Sequence, residues 1–159
     1  MIRHSRPLLL LTALFFSAGT LLRSARAADA SAWTEEYAAA VKEAQKDHKM
    51  LLLDFTGSDW CPACIELAKQ VFRSTQFAKW AGKTFVLVEV DFPNQKPQTA
   101  AVRKQNKALA AKFKVDAFPM IVILDSHEKE LIRSVGYNGS TPDDWIKARD
   151  VEIAKAQSK

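Results

Sequence analysis

Apolar and polar positions along this chain switch between a helical period and runs of strand length. Trp33 to Lys46 sets Trp33, Tyr37, Ala40, Val41 and Ala44 along one face with acids near its start, which predicts an amphipathic helix capped by Ser31. Met50 to Phe55 is apolar throughout except for Asp54 and predicts a buried strand. After the turn residues Thr56-Gly57-Ser58-Asp59, apolar positions at 65, 67, 68, 71 and 72 return to helical spacing, giving a helix over 61–72. Ser74 or Thr75 is expected to cap a short helix through Trp80 that Gly82 ends, and residues 85–90 predict a second buried strand.

Residues 92–97 form a loop punctuated by prolines. The stretch 99–113 reads as a helix with Ala101, Leu109, Ala110 and Phe113 on its inner face. Val115 to Pro119 turns into a strand over 120–124, residues 126–129 make a hairpin loop, and 130–135 returns as a strand broken by Gly136 and Gly139. Thr141-Pro142-Asp143-Asp144 starts a last helix that runs to about Ala154. Strands 50–55, 85–90 and 120–124 are apolar on both faces, so the fold class is α/β: a central mixed sheet of about four strands with helices on both faces. The first two strands are parallel and the hairpin adds an antiparallel edge.

The beginning of the chain has a different character. Arg3, His4 and Arg6 lead into the apolar run Leu8 to Leu22, and Ala25-Arg26-Ala27 has the small-x-small pattern of a cleavage site, so residues 1–27 are expected to be a signal peptide and 28–159 the domain. That changes the charge picture. The formal net charge of +5 falls to about +1 once Arg3, Arg6, Arg23 and Arg26 are gone. No nucleic-acid partner, anionic membrane partner or stable membrane insertion is expected of the mature domain, and no segment suggests more than a monomer.

Ser58 to Cys64 carries the candidate chemistry, because Cys61 and Cys64 are the two cysteines of the sequence. Two thiols at this spacing close a disulfide or hold a metal. Cys61 falls where a strand hands over to a helix. Unpaired N–H groups and the helix dipole there favour a thiolate, the attacking species in disulfide exchange, and Cys64 one turn further in is placed to resolve a mixed disulfide. Pro62 suits the first helical turn. As a structural staple the pair is poorly placed, since so small a loop contributes only about 2 kcal/mol.

The Asp-Phe at the end of the first strand, Trp60-Cys61-Pro62-Ala63-Cys64 at a helix start, Phe118-Pro119 before a later strand and Val135-Gly136-Tyr137 after the next resemble the thioredoxin superfamily over essentially the whole mature chain. The stretch from Asp54 to Cys64 is most similar to exported bacterial thioredoxin-like proteins. The resemblance implies a thioredoxin fold with Cys61 as nucleophile and Cys64 as resolving thiol. It implies that Pro119 is the family's cis-proline, which with Phe118 offers backbone atoms to an extended substrate, and that Trp60 covers the site or faces substrate. Asp54 would match the buried acid that assists proton transfer, although one extra residue separates it from Cys61. Leu87 stands where the family usually has a lysine beside that acid.

The resulting expectation is an exported, periplasmic or extracellular thiol-disulfide oxidoreductase that acts on protein disulfides or dithiols, needs a redox partner protein and requires no cofactor. Pro62-Ala63 contains no histidine to stabilise the thiolate further, which favours a reductant or isomerase over a primary oxidant. Two rivals stand beside it: a carrier of Cu(I) or Zn(II), for which no third ligand is evident, and a redox-inert interaction domain with a structural disulfide. His48 and His127 are expected in surface loops, and the basic series from Arg103 to Lys114 on a solvated face.

Overall fold

Strand β1 (Met50–Thr56) lies at the centre of the molecule, with all but its first residue buried. The computed structural model describes Met1 and residues 33–158, so the expected leader, the start of the mature domain and the Ser31 cap lie outside the described residues. The other elements are α1 (Tyr37–Asp47), α2 (Pro62–Leu67), α3 (Thr75–Thr84), β2 (Phe85–Asp91), α4 (Ala100–Lys112), β3 (Met120–Leu124), β4 (Glu130–Val135) and α5 (Pro142–Gln157). The sheet order is β2-β1-β3-β4, with β1 and β2 parallel and the β1–β3 and β3–β4 pairs antiparallel.

Side chains leave a strand on alternate faces, and the two cores follow that alternation. Leu51, Leu53 and Phe55 of β1 join Val86, Val88 and Val90 of β2 against Ala40 and Ala44 of α1 and Leu109 of α4. Leu52, Phe85, Leu87, Ile121 and Ile123 point the other way, onto Leu67, Val71, Phe72, Phe77 and Trp145 from the layer that contains α2, α3 and α5. By the same parity Asp54 belongs to this second face. The expected sheet covered on both sides is therefore what forms. Among the described residues no helix is long and apolar enough to cross a membrane.

Several boundaries depart from the sequence expectation for identifiable reasons. The first helix begins at Tyr37, because the backbone of Thr34 is taken up by the edge of β2: its N–H donates to Leu87 at 3.0 Å and its carbonyl accepts from Glu89 at 2.9 Å. Trp33 accordingly packs in the second core, its ring centroid 5.0 Å from that of Phe72. The helix over 61–72 loosens into a π-helical stretch at Ala68–Phe72, closed by a bond from Arg73 N–H to the Ala68 carbonyl. Gly82 does not end α3, which continues to Thr84 and passes straight into β2.

On α4 the inner face is Val102, Asn106 and Leu109, followed by the buried Phe113, while Ala101 is exposed. Asn106 is polar and so broke the apolar pattern, yet it is buried because its amide donates to the Asp91 carbonyl at 2.9 Å.

The second core turns on an aromatic cluster. Phe77 is fully buried and its ring neighbours Trp33, Phe72, Trp80 and Trp145. Phe77→Ala is expected to destabilise the oxidised protein by about 3–5 kcal/mol in urea unfolding followed by tryptophan fluorescence; a loss below about 1 kcal/mol would contradict this packing.

Candidate active site

The chain leaves β1 at Thr56 and must turn before it can start α2. Gly57 makes that turn possible: its carbonyl accepts the N–H groups of Trp60 and Cys61 at 3.2 and 2.9 Å. A Cβ at position 57 would stand 2.8 Å from the indole Nε1 of Trp60, so any side chain there displaces the ring. Trp60 is thus held over the turn, its Nε1 donating to the Phe92 carbonyl at 2.7 Å.

Cys61 is the N-cap residue of α2, with extended backbone angles, and Pro62 occupies the first helical turn. Cys61 and Cys64 are joined by a disulfide with their Cα atoms 5.3 Å apart, and both are buried. The Cys64 N–H donates to Cys61 Sγ at 3.2 Å. When the bridge is reduced, that donor and the helix start favour negative charge on the Cys61 sulfur over Cys64, which lies inside the turn.

A second segment reaches the same end of the sheet. Phe55 pairs with Met120, which brings Phe118 and Pro119 beside the end of β1, and the Phe118–Pro119 peptide bond is cis. The Phe118 ring meets Trp60 edge to face at 5.8 Å and Phe92 at 5.4 Å. Pro119 is buried, and its carbonyl accepts the Gly136 N–H at 2.8 Å, which ties this segment to the end of β4. Phe118 beside it is half-buried.

The third segment, the loop after β2, is tied to this turn by groups that sequence reasoning missed. The Asp59 carboxylate accepts the N–H groups of Asn94, Gln95 and Lys96 at 2.7–3.0 Å, and these donors hold its pKa below the usual carboxylate range. Asp91 accepts both the N–H and the hydroxyl of Ser58, and Lys96 Nζ donates to Ser58 Oγ at 2.8 Å. The available signal was the run of turn-forming residues Ser58-Asp59 facing a loop rich in free N–H groups.

Asp54 is placed differently from either of these. It is 5% exposed on β1, on the sheet face covered by the α2 layer, and its Oδ1 has no hydrogen-bond partner among the described residues. Burial, then the nearby carboxylates of Glu89 and Asp91, raise its pKa well above the usual value. Among the described residues no group of three His, Cys, Asp or Glu side chains is arranged to hold a metal ion.

Residues 37–148 match the family model described as a thioredoxin-like domain. The chain belongs to the thioredoxin-like family. Disulfide bond reductase DsbH of Chlamydia pneumoniae is 42% identical over 99 residues, 62% of this chain and 60% of that protein. Thioredoxin-related protein DsbJ of the same organism is 34% identical over 116 residues, 73% of this chain and 33% of that protein. The match therefore spans three-fifths of one relative and one-third of the other. The solved structure of a DsbH oxidoreductase superposes with a TM-score of 0.72 at 33% identity, covering 86% of this chain and 95% of that one. This thioredoxin-like domain has the family's fold, a four-stranded mixed sheet with helices on both faces.

The folded state holds the Asp54 proton more tightly than the unfolded chain does, so the stability associated with it is complete below the unfolded carboxylate pKa of about 3.9 and is lost as pH rises above it. Asp54→Asn is expected to stabilise the oxidised protein at about pH 8 and to change little at about pH 3, measured by urea unfolding; equal effects at both would refute the buried proton.

Proposed function

We propose that this protein is an exported thiol-disulfide oxidoreductase acting on protein disulfides as a reductant or isomerase. The observation that carries this reading is the Cys61–Cys64 disulfide at the start of α2, set beside Trp60 and the Phe118–Pro119 loop. The names of the relatives, a disulfide bond reductase and a thioredoxin-related protein, support it, and the leader-like residues 1–27 support export.

In the reducing direction the Cys61 thiolate attacks one sulfur of a substrate disulfide. A mixed disulfide forms and the other substrate sulfur leaves with the electron pair. Cys64 then attacks Cys61, closes the bridge seen here and releases the second substrate thiol. Asp54 accepts the Cys64 proton as that thiol becomes a nucleophile. Substrate lies along the backbone of Phe118 and against the exposed apolar surface of Trp60 and Ile65, 42% and 45% exposed. A redox partner protein returns electrons to the bridge, and the mature domain works as a monomer.

Cys61→Ser is expected to abolish insulin-disulfide reduction and Cys64→Ser to trap mixed disulfides visible on non-reducing gels; normal turnover by Cys61→Ser would sink the reading. In defined dithiol buffers the pair is expected to titrate reversibly near or below roughly −250 mV, whereas a value near about −120 mV would reverse the direction assigned here.

A further inference from the structure

An acid that takes a proton from a buried thiol has to pass it on, and Asp54 has few routes to water. On β3 its register partner is Ile121, which is buried and apolar. On β2 the partner is Glu89. Parity places Glu89 on the same sheet face, because Val88 and Val90 go to the α1 and α4 core while Phe85 and Leu87 go to the α2 layer. Glu89 is also the one residue of β2 that is not buried. It therefore touches both the interior beside Asp54 and solvent.

We infer that Glu89 is the proton exit of the dithiol site: Asp54 takes the proton of the resolving Cys64 and hands it to Glu89, which releases it to water. The inference rests on the reading in which Asp54 serves Cys64, and Glu89 acts through Asp54 as a positioning residue.

The Cys64 S–H loses its proton to an Asp54 oxygen, and the sulfur lone pair forms the bond to Cys61. The bond from Cys61 to substrate breaks with its electron pair on the substrate sulfur, which takes a proton from solvent. The dithiol is oxidised and the substrate disulfide reduced. The Asp54 proton then moves to the Glu89 carboxylate and on to water, leaving Asp54 ready for another cycle.

The charges around the pair suit this direction. Burial and then Asp91 raise the proton affinity of Glu89, while Lys96 opposes them and Glu35 adds to them. Asp91 is engaged by Ser58, and Lys96 reaches the same hydroxyl from the loop after β2. On the α2 side the Glu66 carboxylate accepts from the Gln70 amide at 2.8 Å. A carboxylate thus stands beside Asp54 on β2, two residues after Leu87, and no lysine of that strand accompanies it. Its negative charge makes Asp54 a stronger base, and its exposure connects that base to solvent.

The test is single-turnover release of a fluorescent protein thiol from its mixed disulfide with Cys61, followed across pH. Glu89→Gln is expected to slow release about tenfold and to move the acid limb of the profile down by about one pH unit, with Glu89→Asp restoring most of the rate. If Glu89→Gln overlays the wild type while Asp54→Asn is slow, the exit is overturned and the role of Asp54 stands. If Asp54→Asn also overlays the wild type, the role of Asp54 fails and the exit fails with it. Should Glu89→Gln not fold, carbon-13 titration of the two carboxyls in the reduced wild type decides. Mutually dependent, two-step titration curves are expected, and independent single-step curves overturn the proposal.

Discussion

The burial of β1 on both faces is the constraint from which the site follows. A strand enclosed between two helical layers returns to the surface only at its ends; this one turns at the buried Gly57, emerges over residues 58–60 and leads into α2 at Pro62. Cys61 inherits its position from that exit. Asp54, two residues before the end of the strand, inherits its lack of hydrogen-bond donors from the same enclosure, and desolvation then favours its neutral form. One packing decision sets both the place of the cysteine pair and the raised proton affinity of the buried acid.

The parts of this arrangement that were legible in the sequence are those written in local periodicity. Three strands apolar on both faces announce a covered sheet, and Cys61-Pro62 announces a helix start. Register between distant strands has no local signature. Glu89 looks like an ordinary solvent-facing acid in an otherwise apolar strand until its pairing with Asp54 is known. Thr34 has a helical neighbourhood and is drawn away by the open edge of β2, and Asn106 interrupts an apolar face because it serves the Asp91 carbonyl. The place of Pro119 likewise came from resemblance, since only the pairing of Phe55 with Met120 brings it to the end of β1.

Asp54 and Asp59 show how much environment outweighs residue type. Asp59 is half-buried and collects three backbone N–H donors, which favour its anion and make it a strut for the loop after β2. Asp54 is enclosed, its Oδ1 has no donor among the described residues, and its proton affinity is raised. The strut holds the loop that carries Phe92, whose carbonyl accepts the Trp60 indole N–H. Exchanging their surroundings would exchange their chemistry.

The pairing of β1 with β3 has a consequence for the chain as it is made. Cys61 and Cys64 emerge from the ribosome well before Met120–Leu124 exists to complete the sheet. Until then the two thiols have neither Phe118 nor Pro119 at the same end of the sheet. The surroundings of the cysteine pair are thus completed by the chain's later half, and any truncation before β3 leaves them open on that side.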